Sequence, residues 1–208
     1  MKKRILIIAV AVCCIFSVFA QGRDKNDMFF EISVSGAFAT GFGQMNDYLS
    51  TNPSIASSTY ATDFDNIKMG QIGFGWSGNY FIANGFAFQF GLKYLSGQDF
   101  SAEDERHASS DIFTGLVGVE YYFYRKNNIA LSANVDLACD VMDFDYGIYN
   151  GIWNNYSLPL GVTFWYDNLG FQLNYAPTII KLEPKKTNGV DLPKTSINNL
   201  LLNIRISL

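Results

Sequence analysis

The chain has 208 residues, of which 49% are hydrophobic, 16% are aromatic and only 16% are charged. This composition excludes an intrinsically disordered protein, and the length fits a single domain. Soluble proteins carry about 25% charged residues, so part of this surface is expected to face something other than water. The net charge of −4 argues against a nucleic-acid-binding protein, which needs clustered positive charge.

The N-terminus has the pattern of a secretory signal peptide. Basic residues at positions 2–4 precede an apolar run from Ile5 to Ala20 that ends in small residues. An uncleaved signal anchor is the alternative, but the run is shorter than a spanning helix requires. Cys13 and Cys14 lack the flanking pattern of a lipoprotein. We therefore expect residues 1–20 to be removed and residues 21–208 to form one domain with a net charge of −7.

Alternation of apolar and polar residues dominates the rest of the chain and recurs eight times. The fifth segment is the clearest, because apolar residues from Ile129 to Val141 alternate with polar or small ones without a break. No segment has a convincing helical pattern. Pro159 and Pro177 are expected at bulges or strand ends, since proline cannot donate to a β-ladder. The sequence predicts strands at residues 28–38, 67–81, 86–96, 111–124, 129–141, 156–166, 170–180 and 197–208.

One face of each predicted strand is bulky and apolar, whereas the other mixes glycine, small polar residues and charges. The interior of an eight-stranded barrel is just wide enough for side chains to fill it. The bulky set would overfill that interior, but the small and polar set would fit. The sequence therefore predicts an all-β fold, an eight-stranded antiparallel up-and-down transmembrane β-barrel with its apolar face in lipid.

The links between predicted strands alternate in length. Short links are expected at residues 82–85, 125–128 and 167–169, and long ones at 39–66, 97–110, 142–155 and 181–196. Such alternation is typical of transmembrane barrels, with short turns in the periplasm and long loops outside the cell. An even number of strands then places both termini in the periplasm.

The strand number, the alternating links and the apolar last strand resemble those of small outer-membrane barrel proteins. These are the outer membrane protein X and W families and the membrane domain of outer membrane protein A. The resemblance covers about residues 28–208, although Leu208 stands where proteobacterial members usually have an aromatic residue. It implies a place in the bacterial outer membrane, contact with outer-membrane lipid and lipopolysaccharide, and assembly through periplasmic chaperones and the barrel-assembly machinery.

Charged residues on the inward faces form the main candidate site. Glu31 lies near the start of the first strand and Arg205 near the end of the eighth, and barrel closure makes these strands neighbours. The sequence predicts a Glu31–Arg205 pair with Glu120 at a similar depth, and places Lys93 and Asp136 together at a higher level. A static polar core is one interpretation, because buried charges need partners. The other, implied by the resemblance to outer membrane protein A, is a polar plug that blocks or gates a narrow lumen.

Two Asp-Phe-Asp triplets offer candidate contacts for a divalent cation, since hard cations prefer carboxylates and alternate residues of a strand point the same way. They comprise Asp63 with Asp65 and Asp143 with Asp145. Neither triplet completes a metal-binding loop, and ordinary solvated loop acids explain them better. We therefore predict no metal site and no cofactor.

Signals of enzymatic activity are weak. Residues 73–78 match the dinucleotide fingerprint, but no helix is expected after them. His107 and Ser109 resemble the His-x-Ser of outer-membrane lipid A deacylases, with Glu120 as a third member. Strand parity places His107 and Ser109 outward and Glu120 inward, which defeats a triad. Cys139, with outward parity, is expected to face lipid. The sequence predicts a protein that is not an enzyme and has no catalytic residue.

Aromatic residues are expected to anchor both rims of the barrel in the headgroup layer. The periplasmic set is Tyr80, Phe81, Phe86, Tyr121, Phe123, Phe164 and Tyr166, and the outer set is Tyr94, Tyr149, Trp153 and Tyr156.

The predicted function is a structural or surface-interaction role carried by long loops, with a host or extracellular ligand. The first alternative is a narrow pore, or a lateral route for small hydrophobic molecules similar to that of outer membrane protein W. The second alternative is a lipid A-modifying enzyme.

Overall fold

The structure, a computed structural model, describes residues 24–40, 69–99, 109–146, 149–182, 184–186 and 194–208. The predicted signal peptide lies outside these residues. Within them, no helix is long and apolar enough to cross a membrane. The described strands are β1 (Met28–Thr40), β2 (Met69–Ala83), β3 (Phe86–Asp99), β4 (Ser109–Lys126), β5 (Ile129–Tyr146), β6 (Tyr149–Ser157), β7 (Leu160–Tyr166), β8 (Leu169–Ala176), β9 (Thr178–Lys181), β10 (Lys185–Lys186) and β11 (Asn198–Ser207).

Antiparallel pairing closes these strands into a barrel. β1 to β5 pair in chain order. β6 and β7 both pair with β5 and share one position in the wall, and β8 and β9 share the next. β11 then joins β8 to β1. The wall therefore has eight strand positions, which confirms the predicted eight-stranded antiparallel barrel.

Prolines cause both breaks in the wall. Pro159 lies between β6 and β7, and Pro177 lies between β8 and β9. Neither can donate to a ladder, but each carbonyl still accepts a hydrogen bond, from Asp136 N–H at 2.9 Å and from Leu158 N–H at 3.0 Å respectively. The prediction that these prolines end strands is confirmed.

The three predicted short links are two-residue turns at residues 84–85, 127–128 and 167–168. Gly85, Asn127 and Asp167 have positive φ angles of 76°, 52° and 51°, the conformation that tight hairpins require and that Gly, Asn and Asp adopt most readily. We call this end of the barrel the turn end and the opposite end the loop end.

The third predicted long loop, residues 142–155, is wrong. β5 continues to Tyr146 and β6 already begins at Tyr149, so most of this segment is strand. The alternation does continue past residue 141, but its polarity is reversed, because Asp143 and Asp145 point outward and Met142 and Phe144 point inward. The outward face changes from apolar to polar after Val141, although the strand continues to Tyr146.

The exterior is apolar, as predicted. On β5, Val135 and Leu137 are 47% and 48% exposed, whereas the inward residues Ser132, Asn134 and Asp136 are at most 3% exposed. An apolar exterior around a polar interior is the arrangement of a barrel that crosses a membrane. We call this outward apolar band the lipid belt; it spans Ile72 to Tyr80 on β2, Phe113 to Phe123 on β4 and Ile129 to Val141 on β5.

The interior is apolar at both ends, which the sequence analysis missed. The turn end is filled by a lower cluster of buried side chains, comprising Phe29, Phe81, Ala87, Tyr122, Ala130 and Trp165. The loop end is filled by an upper cluster of inward side chains that includes Met69, Leu95, Ile112, Met142, Phe144 and Trp153. The polar part of the lumen lies between these clusters.

The predicted rim position is therefore wrong for two of the aromatic residues. Phe81 and Trp153 are 0% exposed and belong to the lower and upper clusters, because both have inward parity. Tyr80, Tyr121 and Tyr166 do face outward at the turn end. Parity within the strand, rather than aromatic character, decides which residues reach the headgroups.

Candidate functional site

Three strands bring the main charged residues together in the lumen. Arg205 of β11 is in register with Ser33 of β1, so Glu31 is its diagonal neighbour. Arg205 Nε and Nη2 lie 2.7 and 2.5 Å from Glu31 Oε2. Across the lumen, Nη1 and Nη2 lie 3.2 and 2.9 Å from the two carboxylate oxygens of Glu120 on β4. One guanidinium thus bridges two carboxylates, and we call Glu31, Glu120 and Arg205 the charge cluster.

Burial makes the geometry of the charge cluster important for stability. Glu31, Glu120 and Arg205 are 1%, 0% and 3% exposed. Buried ions are tolerated only when partners satisfy their hydrogen-bonding groups. Glu31 also accepts hydrogen bonds from Ser77 and Asn79 at 3.2 and 2.9 Å. The charge cluster is therefore a well-satisfied group of buried ions.

Other neutral side chains connect the charge cluster to the lower cluster. Ser132 donates to Glu120 at 2.5 Å, and Arg205 Nη1 donates to Thr163 at 3.2 Å. The Arg205 guanidinium carbon lies 4.9 Å from the centre of the Trp165 ring, whose Nε1 donates to Ser132 at 3.1 Å. The ions are thus held between hydroxyl groups and an aromatic surface, which favours one fixed arrangement.

A second group of polar side chains lies nearer the loop end. Lys93 Nζ donates to Asn203 Oδ1 at 3.3 Å, and Asn203 Nδ2 donates to Gln172 at 2.7 Å. Gln172 donates to Asn134 at 3.0 Å, and Asn134 donates to Asp136 at 2.5 Å. The structure therefore connects Lys93 to Asp136 through three amide side chains. We call these five residues the amide network.

Asp140 is a lumenal carboxylate that the sequence analysis did not include in the candidate site. It accepts hydrogen bonds from Thr114 at 2.6 Å and from Ser157 at 2.5 Å. Asp140 has the same inward parity on β5 as Asp136, and this sequence pattern could have identified it. It extends the polar lumen toward the upper cluster.

A small cavity lies between the charge cluster and the amide network. Its volume is about 40 Å³, and Lys93, Asp136, Asn174 and Arg205 are among its lining residues. It exceeds the ~10–15 Å³ that a cavity needs to hold one water molecule. Asn174 Oδ1 is buried with no hydrogen-bond partner among the described residues, so a water is a natural partner. A cavity of this size is far below the ~300 Å³ of a small-molecule pocket.

The candidate cation contacts are on the outside of the barrel or outside the described residues. Asp143 and Asp145 are exposed on β5 beyond the lipid belt, and Asp143 is opposite Asp111 of β4. Asp63 and Asp65 lie outside the described residues. In the part of the chain that the structure describes, no three His, Cys, Asp or Glu residues are arranged to hold a metal ion. A cation contact at the loops stays a prediction.

The weak catalytic signals have no catalytic geometry among the described residues. The glycine-rich segment at 73–78 lies wholly within β2. Glu120 points into the lumen and binds Arg205, whereas Ser109 begins β4 at the loop end. His107 lies outside the described residues. Cys139 is an exposed free cysteine on the outer face of β5.

No protein-family model and no curated protein matches the chain. Among solved structures, the chain is similar to Neisserial surface protein A, with 12% identity and a TM-score of 0.49 over 87% of this chain and 97% of that one. It is similar to Ail, the attachment invasion locus protein of Yersinia pestis, with 10% identity and a TM-score of 0.46 over 88% and 99%. It is also similar to the N-terminal β-barrel domain of Pseudomonas aeruginosa OprF, with 12% identity and a TM-score of 0.38 over 89% and 99%.

Ail has also been solved in complex with the heparin analogue sucrose octasulfate.

The strand pairing and the apolar exterior of this chain make it a small eight-stranded transmembrane β-barrel with a closely filled polar lumen.

Proposed function

We propose that this chain is an integral outer-membrane protein that presents an ordered β-sheet extension at the cell surface for interaction with an extracellular partner. In this proposal the loop end faces outside, both termini lie in the periplasm, and periplasmic chaperones and the barrel-assembly machinery deliver the barrel. The carrying observation is that β4 and β5 continue past the lipid belt with their polarity reversed. The extension comprises residues 109–112 of β4, 142–146 of β5 and 149–153 of β6.

The change of polarity is abrupt on β5. Val141 is the last outward apolar residue, and the next two outward residues, Asp143 and Asp145, are exposed acids. Between them, Met142 and Phe144 point inward and are buried. A charged outside with an apolar inside is the pattern of a protein in water. The same strand therefore suits lipid over one part of its length and water over the next.

The extension has its own packing. Phe144 of β5 and Trp153 of β6 make an edge-to-face contact with ring centres 5.7 Å apart. β6 is flanked by β5 on one side and by β9 and β10 on the other. A pre-ordered surface loses little conformational entropy when it binds. This packing supports a binding role for the extension better than a role as a flexible spacer.

Charge indicates the kind of partner. Asp111, Asp143 and Asp145 form an acidic strip on the outside of β4 and β5, just beyond the lipid belt. Complementary charge guides association and selects partners. The strip fits an extracellular protein with a basic patch.

Surface labelling tests the orientation. In a Cys139→Ala background, Asp145→Cys and Asn168→Cys are displayed on intact Gram-negative cells and treated with a membrane-impermeant maleimide. We expect labelling at residue 145 and none at residue 168, which lies in a turn. Labelling at residue 168 alone would reverse the proposed orientation.

Adherence tests the interaction. Cells that display the protein are scored for binding to immobilised extracellular-matrix proteins and to host cells. We expect the triple change Asp111→Asn, Asp143→Asn and Asp145→Asn to reduce binding to the level of cells without the protein. Asp167→Asn at the turn end is the matched control and should bind normally. Equal binding by cells that lack the protein would reject the surface role.

A lateral route for small hydrophobic molecules is the second candidate, and one seam in the wall favours it. Where β9 meets the segment before β11, the Thr178 hydroxyl accepts from Ile197 N–H at 3.0 Å and donates to Ile197 C=O at 2.6 Å. Thr178 N–H donates to the Asn198 side chain at 3.3 Å. A seam held through side chains opens with less disruption than a backbone ladder. Ile179 and Ile180 beside it are exposed apolar residues.

Conductance and cross-linking distinguish this candidate from the first. A Thr178→Cys, Ile197→Cys pair in the Cys139→Ala background should lock the seam when oxidised and block uptake of a hydrophobic dye by vesicles. Discrete channel openings in planar bilayers that are lost in Arg205→Leu would instead indicate a pore through the lumen. Uptake that is unchanged by the lock, with no conductance, would remove the transport candidate.

A further inference from the structure

The lipid belt contains a groove whose floor is made by small residues. Gly115 of β4 and Cys139 of β5 are direct neighbours in register. Leu92 of β3, itself paired with Trp76, borders them on one side, and Tyr156 of β6 borders them on the other. The groove has a volume of about 410 Å³. It exists because two adjacent strands lack bulky side chains at the same level.

The level of the groove in the membrane follows from the residues that neighbour it along the strands. Toward the loop end, the next outward pair is Phe113 and Val141, and the pair after that is Asp111 and Asp143. The acids mark the end of the lipid belt. The groove therefore lies one apolar pair inside the membrane, at the level of the acyl chains in the leaflet at the loop end.

The width of the groove suits a single chain. Leu92 and Tyr156 lie three strand spacings apart, about 14 Å between backbones at ~4.8 Å per spacing. Their side chains occupy part of this distance and leave space for one narrow, flexible hydrocarbon. The flat wall of a second barrel would leave the floor unfilled, and an unfilled space in lipid loses van der Waals contacts.

We propose that this groove is a specific binding site for one fatty acyl chain of a lipid in the leaflet at the loop end. Its walls and floor are apolar side chains, glycine and a thiol, and it is continuous with the surface that already contacts lipid. No hydrophobic driving force separates bound from bulk lipid inside a membrane, so fit and van der Waals packing select the occupant. The proposal depends on the transmembrane barrel and is independent of the proposed surface interaction.

Glycine substitution gives a direct test. A Cβ built on Gly115 meets its nearest atom, Leu92 Cδ2, at 3.9 Å, so Gly115→Leu enters the groove without displacing the backbone. Gly36 of β1 is the matched control, because a Cβ there meets nothing within 4 Å and also points into lipid. Gly36 lines a different groove, which reaches the polar residues Ser96 and Gln98.

Native mass spectrometry provides the first readout. The folded barrel in detergent is titrated with dimyristoyl phosphatidylethanolamine, and the retained lipids are counted. We expect one tightly retained lipid for the parent protein and for Gly36→Leu, and retention weakened about fivefold in Gly115→Leu through lost packing. Equal retention by all three proteins, or no preferred first lipid, would overturn the proposal. A dimer that disappears in Gly115→Leu would show instead that a second copy occupies the groove.

Tryptophan fluorescence provides the second readout. Trp76 borders the groove and is 41% exposed, whereas Trp153 and Trp165 are 0% exposed. Phosphatidylethanolamine with brominated acyl chains should therefore quench mainly Trp76, and at lower mole fractions in the parent than in Gly115→Leu. If Gly115→Leu does not fold, as judged by heat-modifiable migration, Cys139→Phe fills the same groove from β5. Identical quenching curves for the parent and the filled variant would contradict an occupied site.

Discussion

The two halves of the lumen are filled in different ways. Toward the turn end, the charge cluster uses full ions whose hydrogen bonds are almost entirely fixed by neighbours. Toward the loop end, the amide network links Lys93 to Asp136 through neutral groups that can each donate and accept. Buried ions tolerate little change, because losing one partner leaves a charge uncompensated, whereas amides can exchange partners. We therefore expect the charge cluster, whose ions contact one another directly, to set the stability of the barrel.

The largest effect is expected from Arg205→Leu. This change leaves Glu31 and Glu120 facing each other across the lumen without their shared cation, and breaking a buried ion pair lowers the free energy of unfolding by about 3–5 kcal/mol. Guanidinium unfolding in detergent micelles measures it. Arg125→Leu is the control, because Arg125 pairs with Asp24 at 3.6 Å in an exposed position, where about 0–1 kcal/mol is expected. Similar losses for both variants would contradict the comparison.

A smaller loss is expected from Glu31→Gln. The amide keeps the shape of the side chain and one acceptor oxygen, and Arg205 retains Glu120. A hydrogen bond to a charged group contributes about 1.5–3 kcal/mol, so a loss of about 2 kcal/mol in the free energy of unfolding is expected. The same denaturant titration measures it. A loss as large as that of Arg205→Leu would mean that Glu120 does not hold the guanidinium alone.

Lys93→Gln in the amide network is expected to reduce stability by about 1 kcal/mol or less. The new amide can still donate to Asn203, since neutral and charged donors both satisfy that oxygen. Equilibrium unfolding of this variant beside Glu31→Gln compares the two halves directly. A greater loss for Lys93→Gln would reverse the expected ranking.

The smallest effect is expected from Asp143→Asn on the extension. Asp143 lies directly opposite Asp111, and like charges opposite each other in a sheet are unfavourable. Removing one charge should therefore raise stability by a few tenths of a kcal/mol, about 0.2–0.5 kcal/mol. Thermal unfolding at low and high salt measures it, because the gain should vanish when salt screens the pair. A salt-independent loss of stability would show that Asp143 has another role.

Strand parity was sufficient to predict much of this molecule. It gave the number of strands and the outward face of each, because a lipid-facing side must be uniform over a whole strand. Closure of the barrel then placed Glu31 beside Arg205. The cross-lumen contact between Arg205 and Glu120 was harder to predict, because it depends on the width of the lumen and on the length of the arginine side chain.

The missed features have a common physical cause. The lower and upper clusters are built from single inward aromatic or aliphatic residues on many strands, such as Phe81, Trp165 and Phe144. One such residue leaves no periodic signal in its own strand. Residues from several strands form a cluster only when the wall is closed. The extension was missed because the solvent outside the strand changes at residue 141, so the outward face changes from apolar to charged while the backbone conformation does not.

Arg205 lies on β11, the strand that completes the ring by pairing with β1. Without this strand, Glu31 and Glu120 have no shared counter-ion, and like charges at close range are unfavourable. Docking of this strand therefore closes the wall and supplies the cation that the two carboxylates share. One segment of the chain is thus responsible both for ring closure and for charge compensation of two buried acids.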